Sequence, residues 1–180
     1  MDAVIDECFN EQTGSYSVAA VLIPAAQLAN VLAAIAQTPG FKWRNSRAGG
    51  RLAFIQTTLV SNRLDCLVAV GQTARPSEQE TCRWRCLRKL FPVLARRGAT
   101  MVTLDWRPGH LNGIDERNIQ WMIAHAWIPP APVLRHRFRN PTEVPLLRLA
   151  DALAGASSAQ SAGDSQYVSP IATQVSWWAV

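Results

Sequence analysis

The stretch "VIDECFNEQTGSYSVAAVLI", residues 4–23, decides the fold of this chain. Its first part belongs to a short apolar run, residues 3–9, that is interrupted by the adjacent acids Asp6 and Glu7. The letters "NEQTG" then supply turn residues, and residues 15–24 are rich in side chains that favour strands. The pattern predicts an opening β-hairpin whose first strand carries two carboxylates.

Beyond the hairpin, segments with helical spacing alternate with compact β-type runs. Helices are predicted over residues 26–37, 75–98, 113–127 and 143–158, and strands over residues 64–72, 99–106 and 132–140. Residues 51–62 have an ambiguous period and fit either a helix or a strand. This order predicts an α/β fold in which helices flank a mixed sheet.

Length and composition indicate the domain organisation. The chain has 180 residues and 48% hydrophobic content, enough for one domain with a sizeable core. We expect a domain over residues 1–155, a flexible linker over the low-complexity residues 156–166, and an apolar tail over residues 167–180. The two tryptophans of the tail, Trp177 and Trp178, could cover a subunit interface and so form a homo-oligomer, or they could cover the domain's own core.

The charge and the cysteine pattern narrow the function classes. A formal charge of +5, with every Lys and Arg between Lys42 and Arg148, fits an anionic partner such as nucleic acid. Four cysteines without a CxxC pair, and only three histidines, argue against a zinc site. The sequence has neither a secretory signal nor an apolar run of about 18 residues, so we expect a reduced, cytoplasmic protein without a membrane span.

Three acids stand where apolar residues are expected. Asp6 and Asp105 lie at or near the carboxyl ends of predicted buried strands, which is where open α/β sheets bind ligands. Asp151 shares the apolar side of the last helix with Leu147 and Ala154, while Arg148 is expected on another side. Each acid also has an ordinary explanation: a turn for Asp6, an acceptor role towards Arg107 or the next helix for Asp105, and an interior ion pair for Asp151.

One shared divalent cation would account for all three acids together. A buried carboxylate is costly unless it is paired or bound to a metal. Oxygen-only ligation suits Mg²⁺ or Mn²⁺, which hold phosphates and support phosphodiester cleavage. The acids therefore predict a metal-dependent nuclease, and a phosphatase or nucleotide hydrolase stays open as a weaker alternative.

Both ends of the chain resemble one family. The segment of residues 4–23, and "LLRLADALAG" at residues 146–155, are similar to the RNase H-like family catalogued as domain of unknown function 3800, and "FKWR" at residues 41–44 is a weaker similarity. The resemblance implies an RNase H-like fold and a metal-dependent nuclease. It also implies functional roles for Asp6, Glu7 and Asp151, and Asp105 is expected as a further acid by its position.

The sequence departs from the family pattern at three places. Cys8 stands in place of serine, Arg148 in place of glutamine, and Gly40 where an acid is common. These departures keep a second hypothesis open, a catalytically degenerate RNase H-like protein that binds or interacts without cleaving. A fourth acid is expected in such a site, and the candidates are Glu78, Glu80 and Asp115.

Two basic segments are candidates for nucleic-acid contact. Lys42, Trp43 and Arg44 combine positive charge with an aromatic ring, as single-strand binders do, although packing of Trp43 in the core is an equal alternative. Arg135 and Arg137 alternate with Arg139 and so share one face of a strand. They could contact phosphates or simply protect a sheet edge with charge.

Overall fold

Within residues 1–73, 75–129 and 134–180, which the computed structural model describes, six strands form one mixed sheet flanked by helices. The strands are β1 (Asp2–Asn10), β2 (Ser15–Ile23), β3 (Asp65–Gln72), β4 (Met101–Asp105), β5 (Arg135–Arg139) and β6 (Val175–Ala179). The α-helices are α1 (Leu28–Ala36), α2 (Ala48–Ile55), α3 (Gln79–Arg96), α4 (Leu111–Ala124) and α5 (Leu147–Ser161).

The strand order across the sheet is β5-β4-β1-β2-β3-β6. Strands β1, β2 and β3 are antiparallel neighbours, whereas β4 runs parallel to β1 and β5 runs parallel to β4. This arrangement confirms the predicted α/β fold, a mixed sheet flanked by helices that opens with a β-hairpin. It also places the carboxyl end of β4 beside the middle of β1.

The sheet separates two cores. On one face, α1, α2 and α5 pack over Val4, Ala19 and Val21. On the other face, α3 and α4 pack over Ile5 and Val18 and their neighbours. Because both faces are covered, β2 is buried along its whole length, which explains its nearly continuous apolar sequence.

One segment differs from the sequence predictions. The expected linker at residues 156–166 is helical as far as Ser161, because α5 continues and buries Ala156, Ser157 and Ser158 against the sheet. The hydroxyl of Ser157 donates to that of Ser17 in β2 at 2.9 Å. Small side chains here permit close helix-to-sheet packing.

The ambiguous residues 51–62 are helical. They form most of α2 and a π-helical turn over Gln56–Val60, and Phe54, Ile55 and Leu59 are buried. The predicted strand at residues 132–140 begins outside the described residues, and its described part is β5.

The apolar tail joins the sheet through β6, which pairs in parallel with β3. Trp178 packs partly against the core under Lys89, whereas Trp177 is 37% exposed at the sheet edge. A homo-oligomer through this tail stays a prediction. Among the helices that the structure describes, none is long and apolar enough to span a bilayer.

We expect Gly155→Ala to destabilise the fold. A Cβ atom at Gly155 in α5 would overlap the indole of Trp43, so the substitution should lower the free energy of unfolding by about 1–3 kcal/mol. The measurement is urea unfolding. Gly50→Ala in α2 is the matched control, because a Cβ there meets no atom within 4 Å, and unchanged or slightly higher stability is expected. Equal effects in the two variants would contradict this packing.

Candidate metal and phosphate site

Asp6 is the middle residue of β1, directly after the last residue that pairs with β4, and lies on the face of the sheet that α5 covers. The predicted position at or near the carboxyl end of the strand is wrong, because β1 continues to Asn10 in its pairing with β2. Its cross-strand partner is Ala19, which belongs to the core on that face. The backbone amide of Glu7 donates to Asp6 Oδ1 at 2.8 Å. Burial raises the pKa of Asp6 well above its usual range, and the negative charges of Glu7, Asp105 and Asp151 raise this pKa further.

Asp105 is the last residue of β4 and lies on the same face as Asp6. Because Leu104 pairs with Ile5 on the opposite face, alternation along the strand turns Asp105 towards α5. The amide of Trp106 donates to Asp105 Oδ1 at 2.9 Å. Burial raises the pKa of Asp105 to about 6, with the charge of Glu7 as the next cause.

Asp151 reaches the same region from α5. The amide of Trp43, which begins a short 3-10 turn, donates to Asp151 Oδ2 at 2.8 Å. Burial raises the pKa of Asp151, and this amide together with the positive charges of Lys42 and Arg44 opposes part of the rise. The helix therefore contributes a third carboxylate to the face that carries Asp6.

The three acids line one pocket of about 440 Å³. The walls also include the basic residues Lys42, Arg44 and Arg148. Arg148 was expected on another side of the helix, and that expectation is wrong. Residues three apart on a helix are neighbours, so Arg148 lies beside Asp151 at the pocket.

The acids lack salt-bridge partners. Within the part of the chain that the structure describes, no Lys, Arg or His nitrogen lies within 4.0 Å of a carboxylate oxygen of Asp6, Asp105 or Asp151. Each acid accepts one backbone hydrogen bond on one oxygen. The ordinary explanations that gave Asp105 and Asp151 an ion-pair partner therefore find no such partner among these residues.

The donor set has the chemistry that Mg²⁺ or Mn²⁺ requires, since three carboxylates supply hard oxygen ligands. Among residues 1–73, 75–129 and 134–180, however, no three His, Cys, Asp or Glu side chains form a ready-made metal-binding group. The acids share a pocket without forming a closed coordination sphere. Binding of an ion would therefore require small side-chain movements.

The side chain of Glu7 lies on the opposite face of the sheet. Its cross-strand partner Val18 belongs to the other core, and its carboxylate accepts from Arg83 Nη1 at 2.5 Å and lies 3.2 Å from Arg107 Nε. Two arginines thus neutralise this acid. The structure places the Glu7 side chain in an ion-pair network behind the three-acid pocket, although the residue also lines that pocket.

The same network contains two of the candidates for a fourth acid. Asp115 accepts from Arg83 Nε at 2.9 Å, and Glu80 is paired with Arg107. Glu78 accepts from the hydroxyl of Thr73 at 3.3 Å instead. None of these three acids lines the pocket, so the residues proposed for a fourth ligand do not meet there.

The predicted nucleic-acid contacts divide into two groups. Lys42 and Arg44 are exposed at the pocket, as a role in phosphate contact requires. Trp43 is only 8% exposed, packs edge-on against Tyr167 at 4.9 Å between ring centroids, and lies under Arg51. Its ring has no face free for a base, so the core alternative is the correct one for Trp43.

Arg135 and Arg137 are exposed on β5 at the edge of the sheet. Arg137 pairs with Thr103, whose neighbour Val4 belongs to the core under α5. The two arginines therefore lie on the face that carries the three acids. Trp106, which is 47% exposed directly after Asp105, was not predicted as a functional residue. The signal in the sequence was its position at the end of a predicted buried strand.

Comparisons with known proteins add little to this geometry. No family model matches the chain, and no curated protein matches it. Among solved structures, the chain is similar to a chain in the PCNA:RNase HII complex from Archaeoglobus fulgidus, at 13% identity and a TM-score of 0.46, covering 96% of this chain and 76% of that one. This level of similarity leaves function to be argued from the site itself.

We expect Arg83→Met to destabilise the protein strongly. Arg83 is 1% exposed, and its removal leaves buried Asp115 without its closest cation. Breaking a buried ion pair in this way should lower the free energy of unfolding by about 3–5 kcal/mol. Urea unfolding measures the change. The double variant Arg83→Met with Asp115→Asn should recover part of the loss, and no recovery would contradict this account of the network.

We expect Asp105→Asn to stabilise the metal-free protein above about pH 6. The folded state binds a proton at Asp105 more tightly than the unfolded chain does, so ionisation weakens the fold as the pH rises from 3.8 to about 6. Because solvent screens part of this effect, we expect about 1 kcal/mol, or about 2–4 °C in Tm, at about pH 8.

The control for this prediction is Glu11→Gln, at an exposed turn residue. Thermal unfolding in EDTA is the measurement for both variants. The gain in Asp105→Asn should disappear below about pH 4, where the carboxyl is protonated in both states. A gain that persists at low pH would show that charge is not its cause.

Proposed function

We propose that the protein is a metal-dependent nuclease that cleaves phosphodiester bonds of nucleic acid. The single observation that carries the proposal is that Asp6, Asp105 and Asp151 line one pocket, where no Lys, Arg or His among the described residues forms a salt bridge with them. The resemblance of residues 4–23 and 146–155 to the RNase H-like family catalogued as domain of unknown function 3800 supports the same activity.

Asp6, Asp105 and Asp151 would hold Mg²⁺ or Mn²⁺. Each would use the carboxylate oxygen that does not accept a hydrogen bond from a backbone amide. When bound, such an ion stabilises the negative charge that develops on the phosphoryl oxygens. Without a metal the pKa of Asp105 is about 6, so an ion that bound this carboxylate would displace a proton from it at mildly acidic pH.

The basic residues at the pocket would position the substrate. Lys42, Arg44 and Arg148 line the same walls as the acids and can donate to phosphate oxygens. Arg135 and Arg137 extend positive charge along β5 on the same face. Glu7, held by Arg83 and Arg107, would support the neighbouring Asp6 by fixing the middle of β1.

One observation favours the alternative, a catalytically degenerate binding protein. The described residues contain no ready-made metal-binding group, even though the donor chemistry is suitable. If the carboxylates cannot close on an ion, the basic rim would still bind an anionic partner without cleaving it. Metal binding therefore separates the two functions.

The test is cleavage of labelled single-stranded and duplex DNA and RNA with Mn²⁺ or Mg²⁺. We expect Asp6→Asn to lose more than about 100-fold in cleavage rate, because even residues that only orient metal ligands contribute about 10–100-fold. Circular dichroism and thermal unfolding should show that this variant is folded. Glu11→Gln, the same change of acid to amide at an exposed turn, should cleave like the wild type.

Calorimetric titration with Mn²⁺ completes this test. Binding by the wild type that is lost in Asp6→Asn and Asp151→Asn supports the nuclease. Full cleavage by Asp6→Asn would overturn the proposed site. Absence of both metal binding and cleavage in the wild type would leave the binding protein as the function.

A further inference from the structure

A row of three arginines marks the outer edge of the sheet on the acidic face. Arg135, Arg137 and Arg139 are exposed and alternate along β5, so they share one side of the strand. Their partners in β4 are Met101, Thr103 and Asp105, in that order. The row therefore leads directly to one of the three carboxylates of the pocket.

The guanidinium groups of this row are not used by salt bridges within the described chain. No carboxylate oxygen there lies within 4.0 Å of them. Arg137 Nε donates to the hydroxyl of Thr103 at 3.1 Å, and Arg139 Nη1 donates to the carbonyl of Phe138 at 3.0 Å. These neutral contacts orient the side chains and leave their charge for an anionic ligand.

Edge protection alone does not explain the row. Charged side chains on an edge strand do prevent pairing with other chains. The opposite edge of this sheet, β6, has the sequence "VSWWA" and carries no charged side chain. The protein therefore does not protect both of its edges with charge, and the arginines occur only on the edge next to the acids.

Trp106 provides an aromatic surface at the inner end of the row. It is 47% exposed, and its backbone amide donates to the carbonyl of Arg139 at 2.9 Å as well as to Asp105 Oδ1. These hydrogen bonds fix the backbone of Trp106 between Asp105 and Arg139. Unlike the buried Trp43, Trp106 can present its ring to a ligand.

We propose that β5 and Trp106 bind one unpaired strand of nucleic acid and lead it to the carboxylate pocket. Consecutive phosphates lie on Arg139, Arg137 and Arg135, and a base stacks on Trp106. Alternate residues of a strand are about 6.6–6.8 Å apart, a spacing that suits neighbouring phosphates of an extended chain. This inference rests on the proposed function and adds the class of its substrate.

The indole is the reason for choosing a single strand over a duplex. Bases within a duplex are stacked on one another, so a surface tryptophan cannot stack on them without unpairing the helix. An unpaired strand offers its bases freely, and proteins that bind single strands combine a basic track with aromatic stacking. Arg135, Arg137 and Arg139 supply the basic track, and the exposed Trp106, which follows Asp105 in the chain, supplies the aromatic ring.

The test is fluorescence anisotropy with labelled single-stranded and duplex oligonucleotides in EDTA. Wild type should bind the single strand more tightly than the duplex. Trp106→Ala should weaken single-strand binding by between about 5-fold and 150-fold, whereas Trp106→Phe should keep most of it. Each Arg→Gln change in the row should reduce the slope of log affinity against log salt concentration by about 0.7.

Two variants serve as matched controls. Trp177→Ala removes an exposed tryptophan at the opposite edge, and Arg96→Gln removes an exposed arginine at the end of α3. Both should bind like the wild type. Equal binding by Trp106→Ala and wild type, an unchanged salt slope in the arginine variants, or preference for duplex would each overturn the proposal.

The use of EDTA separates this inference from the proposed activity. Strand binding without metal does not depend on the three acids holding an ion. Failure of strand binding would leave a metal-dependent cleavage result with Asp6→Asn intact. Conversely, specific strand binding by a protein that never cleaves would support this site and remove the nuclease.

Discussion

Repulsion among three carboxylates is the constraint on which the site depends. Parallel pairing of β1 and β4 ends directly before Asp6 and Asp105 and so brings these two acids side by side, and α5 adds Asp151 from the layer above. Burial raises the pKa of Asp6 most, and the negative charges of Glu7, Asp105 and Asp151 raise it further. The divalent cation that we propose for this pocket would relieve that repulsion.

The acids on the two faces of β1 differ in whether arginines neutralise them. Glu7 is neutralised by Arg83 and Arg107 on one face, while Asp6, the preceding residue, has no such partner on the other within the described chain. The fold thus supplies cations to one acid of an adjacent pair. A phosphate would be repelled by the acidic pocket alone and attracted once an ion is present, so metal and substrate binding should reinforce each other.

Strand-end position was sufficient to predict Asp105, which ends β4. Asp6 was selected for the same reason, but β1 continues to Asn10 and Asp6 is its middle residue. Helical spacing was sufficient for Asp151. The residue against which an aromatic ring packs could not be predicted from the sequence in this way. Trp43 is buried because Gly155 leaves a space on α5 for its indole, and this contact joins distant parts of the chain. Trp106, by contrast, is exposed beside the acid that precedes it.

Composition misled the interpretation of residues 156–166. Their Ala, Ser and Gly content is typical of linkers, yet most of them extend α5. The reason is tertiary: small side chains allow this helix to lie close to β1 and β2, and Ser157 finds a hydrogen-bond partner in Ser17. Local propensity does not report such packing. The same close approach is what brings Asp151 to the pocket.

The most direct measurement of the central claim is an anomalous difference map from crystals grown with Mn²⁺. The account predicts a manganese peak in the pocket, at bonding distance from side-chain oxygens of Asp6, Asp105 and Asp151. An empty pocket in well-ordered crystals at millimolar Mn²⁺, with the three carboxylates pointing away from one another, would contradict it.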